Sequence, residues 1–310
     1  MRKATLALFI SASLILALWA TFINRPRPTH PDDPYFSGLM ALANNDYDAA
    51  EKILRPLAEN GNADAQRSFG SMYLEGKGVP QDNAEATKWY RSSAEQGNTA
   101  AQRGLGAMYA RGLGVPQNYT EAVRWFRLAA EGANSGGLDA YSEAAKAQYA
   151  LGYMYDNGQG VPHDEVEALK WYRLAAEHGS ADAQSVLGSM HVHRKGVSQD
   201  YAEAATWYRL AADQGNVLAQ SQLGLLYAYG RGVPQDFVQA HKWFNLASAQ
   251  LSGSETKRRE TIDEFRNNVE AKMSQAQIAE AQRLAQEWRP QGEGCNSLRQ
   301  GCASTPSSAP

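Results

Sequence analysis

Apolar residues recur along most of this chain at helical spacing, and the spacing itself repeats. An Ala, then a Phe or Leu four places on, then a Tyr four places further fall on one helical stripe, as in Ala65, Phe69 and Tyr73 or Ala219, Leu223 and Tyr227. The Ala stands each time in an Ala-Gln pair, at Ala65, Ala101, Ala147, Ala183 and Ala219, in steps of 36, 46, 36 and 36 residues. A second stripe carries a Trp followed by an aromatic, at Trp89, Trp125, Trp171, Trp207 and Trp243, with an Ala three places before each. Between the stripes lies Gly-Val-Pro, at Gly78, Gly114, Gly160 and Gly232, with Gly196-Val197-Ser198 in its place once. Five copies in one register predict five helix-turn-helix units, and a period of this size marks a stacked repeat array. The long step places a ten-residue insertion at 133–142, read as a partner-contacting loop or as a spacer in the stack.

Local chemistry agrees with the period. Gly ends the first helix and Pro cannot continue it. The second helix opens on a capping residue with Glu or Gln three places on, as in Asp82 and Glu85 or Asp200 and Glu203. A Gly beside each first-helix Phe or Leu (Gly70, Gly106, Gly152, Gly188, Gly224) disfavours helix, so a close approach of another backbone is expected there. The Trp residues, each beside Ala, read as core. The predicted organisation is a segment at 1–34, a divergent first helix pair at 35–61, five repeats over 62–252, capping helices over 253–290 and a Gly/Ser/Pro-rich tail at 291–310, expected to be disordered. Ser274 with Gln277 should open the last helix. The fold class is all-α, an α-solenoid.

Composition narrows function. Charged residues are 20% and the net charge is −3, so no basic excess drives phosphate binding, and no nucleic-acid partner is expected. Arg2 and Lys3 precede an uncharged apolar run at 4–23. Its length suits a membrane-crossing helix better than the core of a cleaved leader. An uncleaved anchor is expected, with cleavage after Ala20 as the alternative, and most of the chain outside the cytoplasm. Cys295 and Cys302 are the only cysteines. They would close one small disulfide loop in an oxidising compartment.

These motifs resemble the Sel1-like repeat family, a relative of the tetratricopeptide repeats, over about 41–251. The resemblance implies a right-handed superhelix with the first helices lining its concave side. It also implies adaptor work in bacterial signalling, envelope or host-contact complexes, so a periplasmic, inner-membrane-anchored location is expected. The fourth unit departs from the motif at His191, Arg194 and Ser198, which puts its loop in doubt.

Catalytic signals are sparse, and the reading is of a protein that is not an enzyme and takes no cofactor or metal. His191 and His193 point to nearly opposite helix faces and cannot chelate together. Ser254 and Lys257 match the Ser-x-x-Lys of penicillin-recognising enzymes, but the companion triplets are absent. Some cysteine-rich Sel1-like proteins are described as β-lactamases, which leaves that hydrolase as a minor alternative. This chain lacks their repeat cysteines.

Only variable surface positions of a solenoid can specify a ligand. On the off-core face of the first helices these are Arg67, Arg103, Arg111, Tyr149, Tyr153, Asn157, Ser185, His193, Gln222 and Tyr229. Arg and Tyr suit protein interfaces. The expectation is a protein or peptide partner on this surface; the alternative is a secreted or cell-wall-associated factor that binds glycan or a host protein.

Overall fold

A computed structural model describes residues 33–132, 138–193 and 196–291, and all secondary structure among them is helical. The chain divides into two compact units, Met1–Gln81 and Asp82–Pro310. The first holds α1 (Pro34–Ala43), α2 (Tyr47–Glu59) and α3 (Ala63–Glu75). Asp33, Asp46 and Asn62 cap these helices through their side chains. Leu54 and Phe69 lie fully buried in this unit.

The second unit runs from α4 (Asn83–Glu95) through α5 (Thr99–Arg111), α6 (Tyr119–Glu131), α7 (Leu138–Asn157), α8 (Glu165–Glu177), α9 (Ala181–His193), α10 (Tyr201–Asp213), α11 (Val217–Tyr229) and α12 (Phe237–Ala249). A 3-10 turn (Gly253–Glu255), α13 (Thr256–Glu270) and α14 (Gln275–Glu287) follow. Within this unit consecutive helices pack on one another from α4 through α12, and α12 carries both α13 and α14. This is an α-solenoid. Helices α5, α7, α9 and α11 are the first helices of their repeats, alternating with second helices.

The predicted first-helix stripe forms the core. Leu105, Leu151, Leu187 and Leu223 have no exposure, and neither have Ala101, Ala147, Ala183 and Ala219. The tyrosines stand at the edge of the stripe. Tyr109, Tyr155 and Tyr227 are half-buried, and each hydroxyl accepts from an arginine of the preceding second helix, Arg91, Arg127 and Arg209. The second stripe is shared unevenly. Trp125 and Trp243 are buried, whereas Trp89, Trp171 and Trp207 are half-buried and the aromatic after them goes deepest. Burial pushes the Tyr172 and Tyr208 phenols up, that of Tyr208 to about 12.

That aromatic explains the first-helix glycines, and it corrects the expectation of backbone contact. A Cβ on Gly106 would lie 2.8 Å from the Phe126 ring, and one on Gly188 would lie 2.6 Å from Tyr208. Ring and glycine belong to the two helices of one repeat. The loop glycine has a different task. Gly114 has φ +69, and a Cβ there would stand 1.9 Å from the Asn83 carbonyl oxygen, at the start of the previous second helix. A side chain is excluded there on both counts.

The capping residues act as predicted from Asp82, Asn118, Asp164, Asp200 and Asp236. Their Glu partners do not reach back. Glu121 and Glu167 turn instead to Arg124 and Lys170, three places on, at 3.5 and 2.7 Å. The reciprocal box forms at Ser274 and Gln277. Ala-Gln proves more than a register mark. Gln102, Gln148, Gln184 and Gln220 are buried, and each Nε2 donates to the carbonyl of Ala94, Ala130, Ala176 or Ala212 in the last turn of the preceding helix. Their oxygens are also used: those of Gln184 and Gln220 accept from Gln214 and Gln250, both at 2.8 Å. These bonds satisfy the carbonyls a helix end leaves open, and they tie each repeat to the next.

The described part of the insertion is helical. Residues 133–137 lie outside the described ones, and from Leu138 the chain extends α7 to 20 residues against 13 in the other first helices. The extension is anchored by Tyr141, whose ring meets His178 edge-on at 4.7 Å, and by Glu143. The apolar run at 4–23, Arg194 and the two cysteines also lie outside the described residues, and Gly196 keeps its positive φ of 66°. Among the described residues no helix is long and apolar enough to cross a membrane.

Candidate functional site

One position of the first helix, directly after Ala-Gln, reads Arg67, Arg103, Tyr149, Ser185 and Ser221 from repeat to repeat. The structure gives these five residues different tasks. Arg67 donates to the Tyr35 hydroxyl at 3.1 Å within the first unit. Arg103 forms an ion pair with Glu143 of the α7 extension. Glu143 is half-buried, and burial alone would raise its carboxyl. Arg103 and Lys146 outweigh that and hold it below its ordinary value of 4.5. Both arginines, which the sequence marks as partner contacts, have polar partners within the protein.

From Tyr149 onward the column carries no charge. Tyr149 leans on Tyr172 at 5.6 Å between ring centres. Burial first, then the charge of Asp182 and the nearby Tyr153, push its phenol up, so it remains a hydrogen-bond donor at neutral pH. Tyr149 and Ser185 come together in one groove of about 260 Å³, with Asp182, Val186, Asn216, Val217, Leu218 and Arg258 completing its lining. The groove therefore draws on three successive first helices, α7, α9 and α11, and on the capping helix α13. Leu218 is 43% exposed, an unusual position for a large apolar side chain on a packed repeat. Asn216 donates to the Asp182 carboxylate at 3.0 Å.

The remaining marked residues lie elsewhere on the first helices. Arg111 is exposed in the last turn of α5. Tyr153 and Tyr229 are 48% and 60% exposed, and Arg231 lies over the Tyr229 ring at 5.4 Å. Asn157 donates back to the Tyr153 carbonyl at 2.8 Å. His193 is exposed and Gln222 half-buried. The sequence reading missed Leu218 and Arg258. Leu218 stands in the first turn of α11, at a position held by Asp64, Ala100, Lys146 and Asp182 in the other repeats and outside the apolar stripe, and Arg258 belongs to a helix outside the repeat period.

No reaction centre emerges among the described residues. His191 is buried with Glu203 at 3.4 Å, while His193 points to solvent. No group of three His, Cys, Asp or Glu there could hold a metal ion. Ser254 bonds Ser252 at 2.9 Å in an exposed turn, without the surroundings of a nucleophile.

A stack of helical repeats that share a core stripe and differ in their surface residues is a solenoid. The Sel1 repeat family model matches residues 63–98, 99–134, 145–180, 181–216 and 217–250, more than half of the chain. The chain belongs to the Sel1 repeat family. It is 33% identical to a Sel1 repeat protein from Oxalobacter formigenes of known crystal structure, with 72% of this chain and 88% of that one covered and a TM-score of 0.62. It is also 30% identical to a protective antigen present in uropathogenic Escherichia coli strains that displays an SLR fold, over 78% of this chain and 64% of the antigen, with a TM-score of 0.37. No curated protein matches the chain. The Sel1 repeat fold is generally a protein–protein interaction scaffold, and such solenoids are generally non-catalytic.

Proposed function

We propose that this protein is a non-catalytic adaptor of the bacterial cell envelope that holds a segment of a partner protein on the first-helix face of its second unit. The observation that carries this reading is the groove shared by α7, α9, α11 and α13. It combines exposed apolar surface at Leu218 with polar groups at Tyr149, Asp182, Asn216 and Arg258. A mixed lining of this kind, with a few oriented polar groups, suits a side chain and its backbone. The apolar run at 4–23 behind Arg2 and Lys3 supports an inner-membrane anchor that leaves the repeats in the periplasm.

The test is in-cell crosslinking of the full-length chain in its native envelope, followed by mass spectrometry of the captured material. One stoichiometric protein partner is expected. Recovery of cell-wall glycan alone, or of nothing above background, would overturn the adaptor role.

A further inference from the structure

The groove also specifies the chemistry of what it holds, and this step rests on the adaptor reading. Its volume of about 260 Å³ falls just under the roughly 300–1,000 Å³ of a small-molecule cavity, enough for one or two side chains of an extended segment. Val186, Val217 and Leu218 give it an apolar lining. Ser185 gives it an unmet polar demand: the residue is 2% exposed, and its Oγ has no hydrogen-bond partner among the described residues. The equivalent hydroxyl one repeat later, on Ser221, donates to the Leu218 carbonyl at 2.8 Å. The orphan state therefore does not come with the repeat position. A buried polar group without a partner is costly, and a bound backbone amide would relieve it.

Arg258 adds charge. It sits with Lys257 and Arg259 in the first turn of α13, where the helix dipole disfavours cations. Its internal partner is weak: Glu255 stands 3.8 Å away, and the Arg258 side chain is 45% exposed. The fold thus places a cation where helix stability argues against it, at the wall of an apolar groove. Asp182 lines the same groove, with its carboxylate already accepting from Asn216. It repels a second acidic group and so limits the ligand to one.

We infer that the groove of Ser185, Leu218 and Arg258 binds an extended peptide segment in which a large apolar residue stands beside a single acidic residue. The apolar side chain lies on Val186, Val217 and Leu218, the acid pairs with Arg258, and the segment's backbone meets Ser185.

The test uses fluorescein-labelled octapeptides of Gly and Ser with Leu-Asp, Leu-Lys or Ala-Asp at the centre, titrated into the full-length chain in detergent at low ionic strength. Leu-Asp is expected to bind at least tenfold more tightly than either of the others. Arg258→Glu should reverse the order of Leu-Asp and Leu-Lys. Leu218→Asp should abolish binding of both leucine peptides, and Lys88→Glu, on an exposed face outside the groove, should change nothing. Circular dichroism melts confirm that each variant is folded. Equal affinity for Leu-Asp and Leu-Lys, failure of all three peptides, or an order unchanged by Arg258→Glu would overturn the assignment. The adaptor role is judged separately: a crosslinked partner retained in full by Arg258→Glu leaves that role standing and removes this groove from it.

Discussion

Helices α5 and α9 are the first helices of two repeats, equal in length and alike in core, yet their surfaces do opposite things. In α5 the residue after Ala-Gln is Arg103, and its charge is taken up by Glu143 of the neighbouring first helix. In α9 the same position is Ser185, too short to reach across, and its hydroxyl is left without a partner beside a groove. Beneath them Leu105 and Leu187 are equally buried. The difference shows how a repeat protein separates stability from recognition. The core stripe is copied from unit to unit, and the column beside it makes a self-contact in one repeat and holds an unpartnered hydroxyl in another.

The shared core should break first and equally. Leu105→Ala and Leu187→Ala are each expected to cost about 3 kcal/mol by chemical denaturation. A loss in one at least twice that in the other would mean that the two repeats are not energetically alike.

The α5 surface gives a smaller effect with a pH signature. Glu143→Gln should cost about 1 kcal/mol at neutral pH, because the pair is partly exposed to solvent. Since the folded state holds the Glu143 carboxyl below its ordinary value of 4.5, the native contribution is present above that value and is lost as pH falls through the folded value. Wild type and Glu143→Gln should therefore converge in stability on acidification below about pH 4. A gap unchanged down to pH 3 would show that Glu143 acts by packing and not by charge. The α9 position should give the smallest effect, and of opposite sign: Ser185→Ala is expected to stabilise the unbound protein by up to about 1 kcal/mol, since it removes a buried hydroxyl without a partner and no internal bond is lost. A loss of stability would show that the hydroxyl has a partner after all.

Most of the fold was legible because it rests on period and punctuation. The 36-residue step, the Gly-Val-Pro loop and the capping residues each follow from local backbone chemistry, and local chemistry is what a sequence exposes. What was not legible depends on pairing across helices. The Ala-Gln glutamines carry no visible sign that their amides close the preceding helix. The first-helix glycines signalled close approach, but a ring in place of a backbone could not be read from one strand of text. The site was legible in part. Tyr149 and Ser185 were marked for their variability, and the structure brings them together. Arg67 and Arg103 were marked on the same ground, and their partners Tyr35 and Glu143 stand 32 and 40 residues away. Arg258 lies outside the repeat register, so no periodic signal marks it.

The most direct measurement of the contrast between α5 and α9 is hydrogen–deuterium exchange of the full-length chain with and without saturating Leu-Asp peptide. The account predicts added protection in α9, in the first turns of α11 and at the start of α13, with α5 unchanged. Protection centred on α5, or spread evenly over all first helices, would contradict it.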